Sequence, residues 1–230
     1  MNTTRTAPER ADRRKSATAV KPIAASVVYG LAILFLALPL YEWIGNAAFF
    51  YTETRDFTML LLNLPSRLFA LIGFVLMFYQ FVLGIRLPIL ETVFSRATNL
   101  KRHRTLGKAG FVLILLHGVL MLAYDYSIAD QLIFDRYRII GMVALVLLIV
   151  GVLAAWFFKP LKLSRKTWKT VHLLAYVAFP LGFIHGRALG TEFATGRWTV
   201  SVLFNGLLAV YVLLLIYRLY SYLDLPKRRR

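Results

Sequence analysis

The stretch LGKAGFVLILLHGVLMLAY, residues 106–124, decides what kind of molecule this is. From Phe111 to Ala123 every residue is apolar or glycine except His117. An apolar run of about 20 residues, coiled as an α-helix, matches the roughly 30 Å hydrocarbon core of a bilayer. Five further stretches have the same character: Ile23 to Ile44, Leu64 to Leu87, Ile139 to Phe158, Thr170 to His185 and Thr199 to Tyr222. The stretch from Thr170 is the shortest and must borrow its flanks. Within lipid a backbone has to satisfy its own hydrogen bonds, so segments of this length and pattern are expected to form an all-α bundle of six transmembrane helices. The expected organisation is a basic N-terminal segment (1–22), one bundle (23–222) and a basic tail (223–230), with no internal repeat and no second domain.

Composition agrees. Of 230 residues 59% are hydrophobic and the mean hydropathy is +0.63, yet the net charge is +17. Long apolar runs alternating with short basic ones exclude a soluble globular domain. The absence of cysteine excludes disulfides, thiolate-bound zinc, Cys-ligated iron–sulfur clusters and c-type haem. Any metal must therefore be held by histidine or carboxylate. The first apolar run is too long for a signal peptide and lacks a small-residue cleavage site, so it is expected to be a retained span.

The Lys and Arg residues fall unevenly. The segment to Lys21, the connections Arg86 to Lys108 and Lys159 to Lys169, and the tail from Arg218 carry 22 of the 28, while the alternate connections carry Arg55, Arg67, Arg136, Arg138, Arg187 and Arg197. Glu53, Asp56, Asp125, Asp130, Asp135 and Glu192 lie on the sparse side. The positive-inside rule then places both termini in the cytoplasm of a multi-pass protein, expected in a bacterial inner membrane. Topology and attraction to anionic membrane lipid account for the charge, and nucleic-acid binding is not expected.

Only four histidines are present, and their placement is informative. An ionisable residue inside a span is costly and by default functional, with a partner to be named. His103 and His117 are 14 positions apart, a rotation about 40° short of four turns and a rise of about 21 Å on one helix. His172 and His185 are 13 apart on the fifth span, which runs in the same direction as the third. The pairs His103 with His172 and His117 with His185 therefore fall at matching depths, a pattern that suits two stacked haems. Thirteen residues of ideal helix leave His172 and His185 about 140° apart, so that span must bend or overwind, and Pro180 with Gly182 is the expected place. Structural hydrogen bonding remains the plainer reading of His117 and His185. His172 reads equally as a boundary residue beside Trp168, and His103, within Lys101-Arg102-His103-Arg104, as a solvated loop residue or a lipid-phosphate contact.

The run Tyr79-Gln80-Phe81-Val82-Leu83-Gly84-Ile85-Arg86-Leu87-Pro88, followed by Leu100, His103-Arg104, Leu106-Gly107 and His117, resembles the ferric-reductase-like transmembrane domain. That domain is shared by ferric reductases, NADPH oxidases and the haem-binding subunit of a periplasmic methionine-sulfoxide reductase. Trp168, His172 and His185 extend the resemblance, which runs from about Arg67 to Arg187. It implies b-type haem, two groups with bis-histidine ligation by His103, His117, His172 and His185. It further implies that electrons enter from the cytoplasm and leave outside. Arg67 matches a family arginine and would suit a haem propionate, the alternative being snorkelling to the interface. The sequence stops at Arg230 without a Gly-rich dinucleotide loop, so a separate cytoplasmic flavin/NAD(P)H reductase is the expected donor. Lys101, Arg102, Lys162, Arg165 and Lys166 are the expected landing surface for it, and Phe111, Tyr176, Phe179 and Phe183 are expected to pack the macrocycles.

The expected function is electron relay to an external acceptor: a metal ion, dioxygen or a periplasmic reductase. One alternative is a dedicated haem subunit of a periplasmic methionine-sulfoxide reductase system. Another, from a different class, is a small haem-free transporter or channel, for which the near absence of carboxylates from the spans gives little support.

Overall fold

The computed structural model describes residues 7–53, 56–194 and 198–224. Arg5, Arg55, Arg197 and the tail beyond Asp224 lie outside the described residues, so their part in the charge pattern stays an expectation. Helices α1 (Ala7–Glu53), α2 (Leu64–Gly84), α3 (Pro88–Val93), α4 (Arg96–Ala129), α5 (Arg136–Trp156), α6 (Arg165–His172), α7 (Leu174–Leu189), α8 (Thr191–Ala194) and α9 (Trp198–Asp224) follow in order. No strand occurs among the described residues. Among the described residues, five helices are long and apolar enough to cross a membrane: Lys21–Glu53, Met59–Gly84, Arg96–Ala129, Arg136–Trp156 and Trp198–Leu223. The protein is an integral, multi-pass membrane protein.

The expected fifth span is divided between α6 and α7. The join is at Leu173, whose carbonyl accepts from the Tyr176 N–H at 2.9 Å, three residues on. An i to i+3 bond tightens the turn and adds about 20° of rotation per residue over an α-helix. The overwinding that the His172–His185 spacing demands thus begins beside His172. Pro180, the expected place, lies within α7.

Pro180 still leaves a mark. With no N–H, it cannot bond the Tyr176 carbonyl four residues back. Tyr211 on α9 fills that gap, its hydroxyl donating to the Tyr176 oxygen at 2.6 Å. Tyr211→Phe should therefore destabilise the detergent-solubilised protein by about 1–3 kcal/mol through the buried carbonyl left unpaired. Adding Pro180→Ala, which restores a main-chain donor, should recover most of the loss, as read from thermal unfolding of both variants.

Helix α2 is the centre of the bundle, with Val75 and Ser66 fully enclosed. It packs most closely on α4, where a Cβ at Gly110 would meet the Leu76 side chain at 3.1 Å and one at Gly73 would meet Ile114 at 2.8 Å. Small residues at such a seam let two backbones approach, which is how helices associate in lipid without a hydrophobic drive between them. On the other flank α5 packs against α7. The start of α2 is preceded by a π-turn at Met59–Asn63, in which the Leu64 N–H reaches back to the Met59 carbonyl. Pro65 follows at the first turn, where its missing donor costs least.

Helix ends are set by capping. Ser95 accepts from the Thr98 N–H, Asp135 from those of Tyr137 and Arg138, and Ser164 from that of Thr167. The Asp135 carboxyl also meets Arg138 at 2.5 Å, and that guanidinium holds it below the usual carboxylate range.

Candidate functional site

Helix α4 begins at Arg96, two turns before His103, so His103 and His117 share one helix. His172 is the last residue of α6 and His185 lies in the last turns of α7. The ring centres of His103 and His172 are 6.4 Å apart, and those of His117 and His185 are 6.1 Å apart. The two pairings occur in the same chain order, so α4 runs parallel to α6 and α7. No third histidine or acidic side chain joins either pair to form a metal cluster among the described residues.

Three of the rings are fixed through Nδ1. That of His117 lies 2.9 Å from the Ser66 hydroxyl and 3.1 Å from the Ser66 carbonyl; that of His172 lies 3.1 Å from the Gly151 carbonyl; and that of His185 lies 2.9 Å from the Tyr137 carbonyl. A main-chain acceptor at Nδ1 selects the tautomer that leaves Nε2 free as a ligand. The carbonyls come from α2 and α5, the helices that flank the histidine-bearing ones. On α5 the absence of a side chain is required: a Cβ at Gly141 would lie 2.5 Å from His185 Nδ1. Gly141→Ala should accordingly displace the His185 ring from the Tyr137 carbonyl and lower the thermal unfolding temperature of the detergent-solubilised protein.

Between α2, α4, α5 and α7 lies a cavity of about 370 Å³ that contains His117 and His185. Its apolar wall includes Phe74, stacked between Phe179 at 4.4 Å and Phe204 at 4.7 Å. Phe183 also lines it. Phe111 and Tyr176 do not; Phe111 packs on Trp156 at 5.3 Å, and Tyr176 on Phe81 at 4.9 Å. Two ion pairs lie along the polar part of the lining. Arg67 bonds Glu192 through Nε at 2.9 Å and Nη2 at 2.5 Å, both residues being buried. Nη1 of Arg67 is buried without a partner. Arg138 holds the buried Asp125 at 2.9 and 3.2 Å, tying α4 to the start of α5.

Residues 69–183, half of the chain, match the ferric reductase like transmembrane component family. The chain belongs to that family. The matched region includes His103, His117 and His172 and ends two residues before His185. Over 87 residues the chain is also 37% identical to the protein-methionine-sulfoxide reductase heme-binding subunit MsrQ of Pasteurella multocida (strain Pm70). That stretch covers 36% of this chain and 42% of the relative, so the similarity spans less than half of that protein.

The residues present fit the haem that membership of this ferric-reductase-like family implies. Two imidazoles ligating one iron from opposite sides, each at about 2 Å, hold their ring centres about 6 Å apart. Two nitrogens alone would leave an iron ion badly under-coordinated, a need that a macrocycle would meet. The orphaned Arg67 Nη1 beside the cavity is a free donor suited to a carboxylate of such a group.

Sequence reasoning missed Ser66, Glu192, Gly141 and Gly151. Only the two glycines carried a signal, since small residues among bulky apolar ones in a span mark a close approach. One member of the expected landing surface is held by aromatic rings. Arg102 sits over the Phe94 ring at 4.0 Å and the Tyr29 ring at 5.0 Å and bonds the Tyr29 hydroxyl, so it is engaged within the protein. Lys101, Lys162, Arg165 and Lys166 are exposed.

Proposed function

We propose that this protein carries electrons across the bacterial inner membrane through two b-type haems, one held by His103 and His172 and the other by His117 and His185. The observation that carries the reading is the pair of facing imidazoles at about the separation a shared iron needs. In this reading α6 and α7 together complete a sixth crossing, with both termini in the cytoplasm. The pair near Trp168 is then the inner one, and the pair near Arg67 and Glu192 the outer one. Arg67 meets a propionate of the outer group.

The haem supplies one-electron chemistry when bound. The chain's own residues do the rest. Ser66, Gly151 and Tyr137 hold the imidazole tautomers, and Phe74, Phe179 and Phe204 keep the outer cavity apolar. The exposed cations Lys101, Lys162, Arg165 and Lys166 offer a cytoplasmic flavin/NAD(P)H reductase an electropositive face. With the cytoplasm negative, outward transfer of an electron is favoured by about 2.3 kcal/mol per 100 mV for a full crossing.

Reconstitution tests the relay. Sealed vesicles holding a trapped, impermeant oxidant should lose it when a flavin reductase and NADPH are supplied outside. Vesicles carrying His117→Ala should not. Equal rates with and without the protein would contradict the reading.

The similarity to a methionine-sulfoxide reductase heme-binding subunit favours a second reading, in which the acceptor is one periplasmic reductase. Rapid mixing of the reduced protein separates the two. Prompt reoxidation by ferric chelates or dioxygen supports a broad acceptor range, and reoxidation only on adding a periplasmic methionine-sulfoxide reductase supports the dedicated subunit.

A further inference from the structure

The glycines that line the outer cavity are of two kinds. Three are pressed by a neighbour: a Cβ at Gly118 would meet the Leu145 side chain at 2.7 Å, one at Gly141 the His185 ring at 2.5 Å, and one at Gly190 the Gly186 carbonyl at 2.6 Å. Gly182 and Gly186 on α7 differ, since a Cβ at either would find no neighbouring atom within 4 Å. Gly30 and Gly206 are open in the same sense, but both are exposed and neither lines the cavity.

The place of the two glycines on α7 shows what the open space is. At about 100° per residue, His185 and Phe183 mark the edges of the arc of α7 that lines the cavity. Gly182 and Gly186 fall about 60° and 100° from His185, near the middle of that arc. The helix main chain is therefore bare where it faces the void. Local structure gives no reason for this, because both residues lie within a helix, where glycine is unfavourable, and neither has a positive φ. The same void holds the buried Arg67, whose Nη1 has no partner. A wide apolar space with one unanswered cationic donor suits a ligand with a broad apolar body and an acidic edge.

We propose that Gly182 and Gly186 are specificity-determining positions of the outer site, holding open the space that a broad, flat macrocycle requires beside His185. This rests on the haem reading of the His117–His185 pair. It gives Gly182 the task of admitting the group, where the sequence suggested only freedom to bend. Stability and binding then pull in opposite directions. A leucine at either position removes a helix-weakening glycine and adds apolar contacts within the void, while it takes the room of the macrocycle.

The test uses full-length, detergent-purified wild type, Gly182→Leu, Gly186→Leu and, as an exposed control, Gly206→Leu. Thermal unfolding is measured before haem is supplied, and haem titration, pyridine haemochrome and low-spin EPR follow. Gly182→Leu and Gly186→Leu should each lower haem affinity at the outer site about 10-fold or more and spare the inner one. Their haem-free unfolding temperatures should be no lower than that of the wild type. Gly206→Leu should keep both haems, and an equal loss there would overturn the proposal. Unchanged outer-site affinity in both cavity variants would overturn it too and leave the haem reading intact. So would a fall in haem-free unfolding temperature alongside the lost affinity, or failure of both variants to accumulate, since either marks the glycines as packing positions. Should one variant alone fail to accumulate, the other decides. A wild type whose haem content is unaltered by His117→Ala would overturn the haem reading of that pair and this proposal with it.

Discussion

His117→Ala is expected to leave a protein that holds one haem instead of two and no longer passes electrons across the membrane. The imidazole is fixed by the Ser66 hydroxyl and carbonyl and faces His185 at 6.1 Å across the cavity. Removing it would take away one of the two proposed haem-holding side chains, while the Nδ1 bond of His185 to Tyr137 and the whole His103–His172 pair are untouched. Pyridine haemochrome should report half the wild-type content, and the trapped-oxidant assay should fall to the rate of empty vesicles. His185→Ala should match it. In the proposed reading the two imidazoles would hold one iron, so the double variant should be no worse than either single one. Retention of both haems in His117→Ala would remove this residue from the site.

The second large effect concerns stability. Arg67 and Glu192 are 125 positions apart and buried against each other, with only 3% of the Glu192 side chain exposed. Truncating one partner leaves the other charge buried and uncompensated, a loss of about 3–5 kcal/mol. Arg67→Ala should show that loss in thermal unfolding of the haem-free protein. Arg67→Met combined with Glu192→Leu should recover most of it, because two apolar side chains leave no charge to desolvate. A small loss in Arg67→Ala together with no recovery in the double variant would mean that the pair is not what fastens α8 to α2.

What the sequence disclosed and what it withheld divide along physical lines. The apolar runs were legible because hydrocarbon thickness imposes length directly on composition, and five of the six expected spans correspond to single long helices. The remaining one, Thr170 to His185, is divided between α6 and α7, which its apolar run did not announce. Its anomaly, the 13-residue histidine spacing, was visible, and a tightened turn at Leu173 was not. The Leu173 join arises from a tightened main-chain bond that no residue type announces. Pro180 instead shows its effect on a different helix, through Tyr211.

The pairing of histidines followed from spacing and helix direction, and the structure brings the same partners together. Their anchors did not follow, since three of them are main-chain carbonyls whose position depends on how α2 and α5 pack. Glu192 was assigned to an outer connection by its place in the chain, and its burial against Arg67 is a long-range contact without local signature. The contacts of Arg102 did not follow either, since its guanidinium lies over the rings of Phe94 and of Tyr29, the latter far away in sequence.

The central claim, two bis-histidine haems in one bundle, is tested most directly by the haem-to-protein ratio of the purified protein measured together with its low-spin EPR spectrum. Two haems per chain with two low-spin bis-imidazole signals is the predicted result. A chain that takes up no haem when haem is supplied, or that shows a single high-spin species, would contradict it.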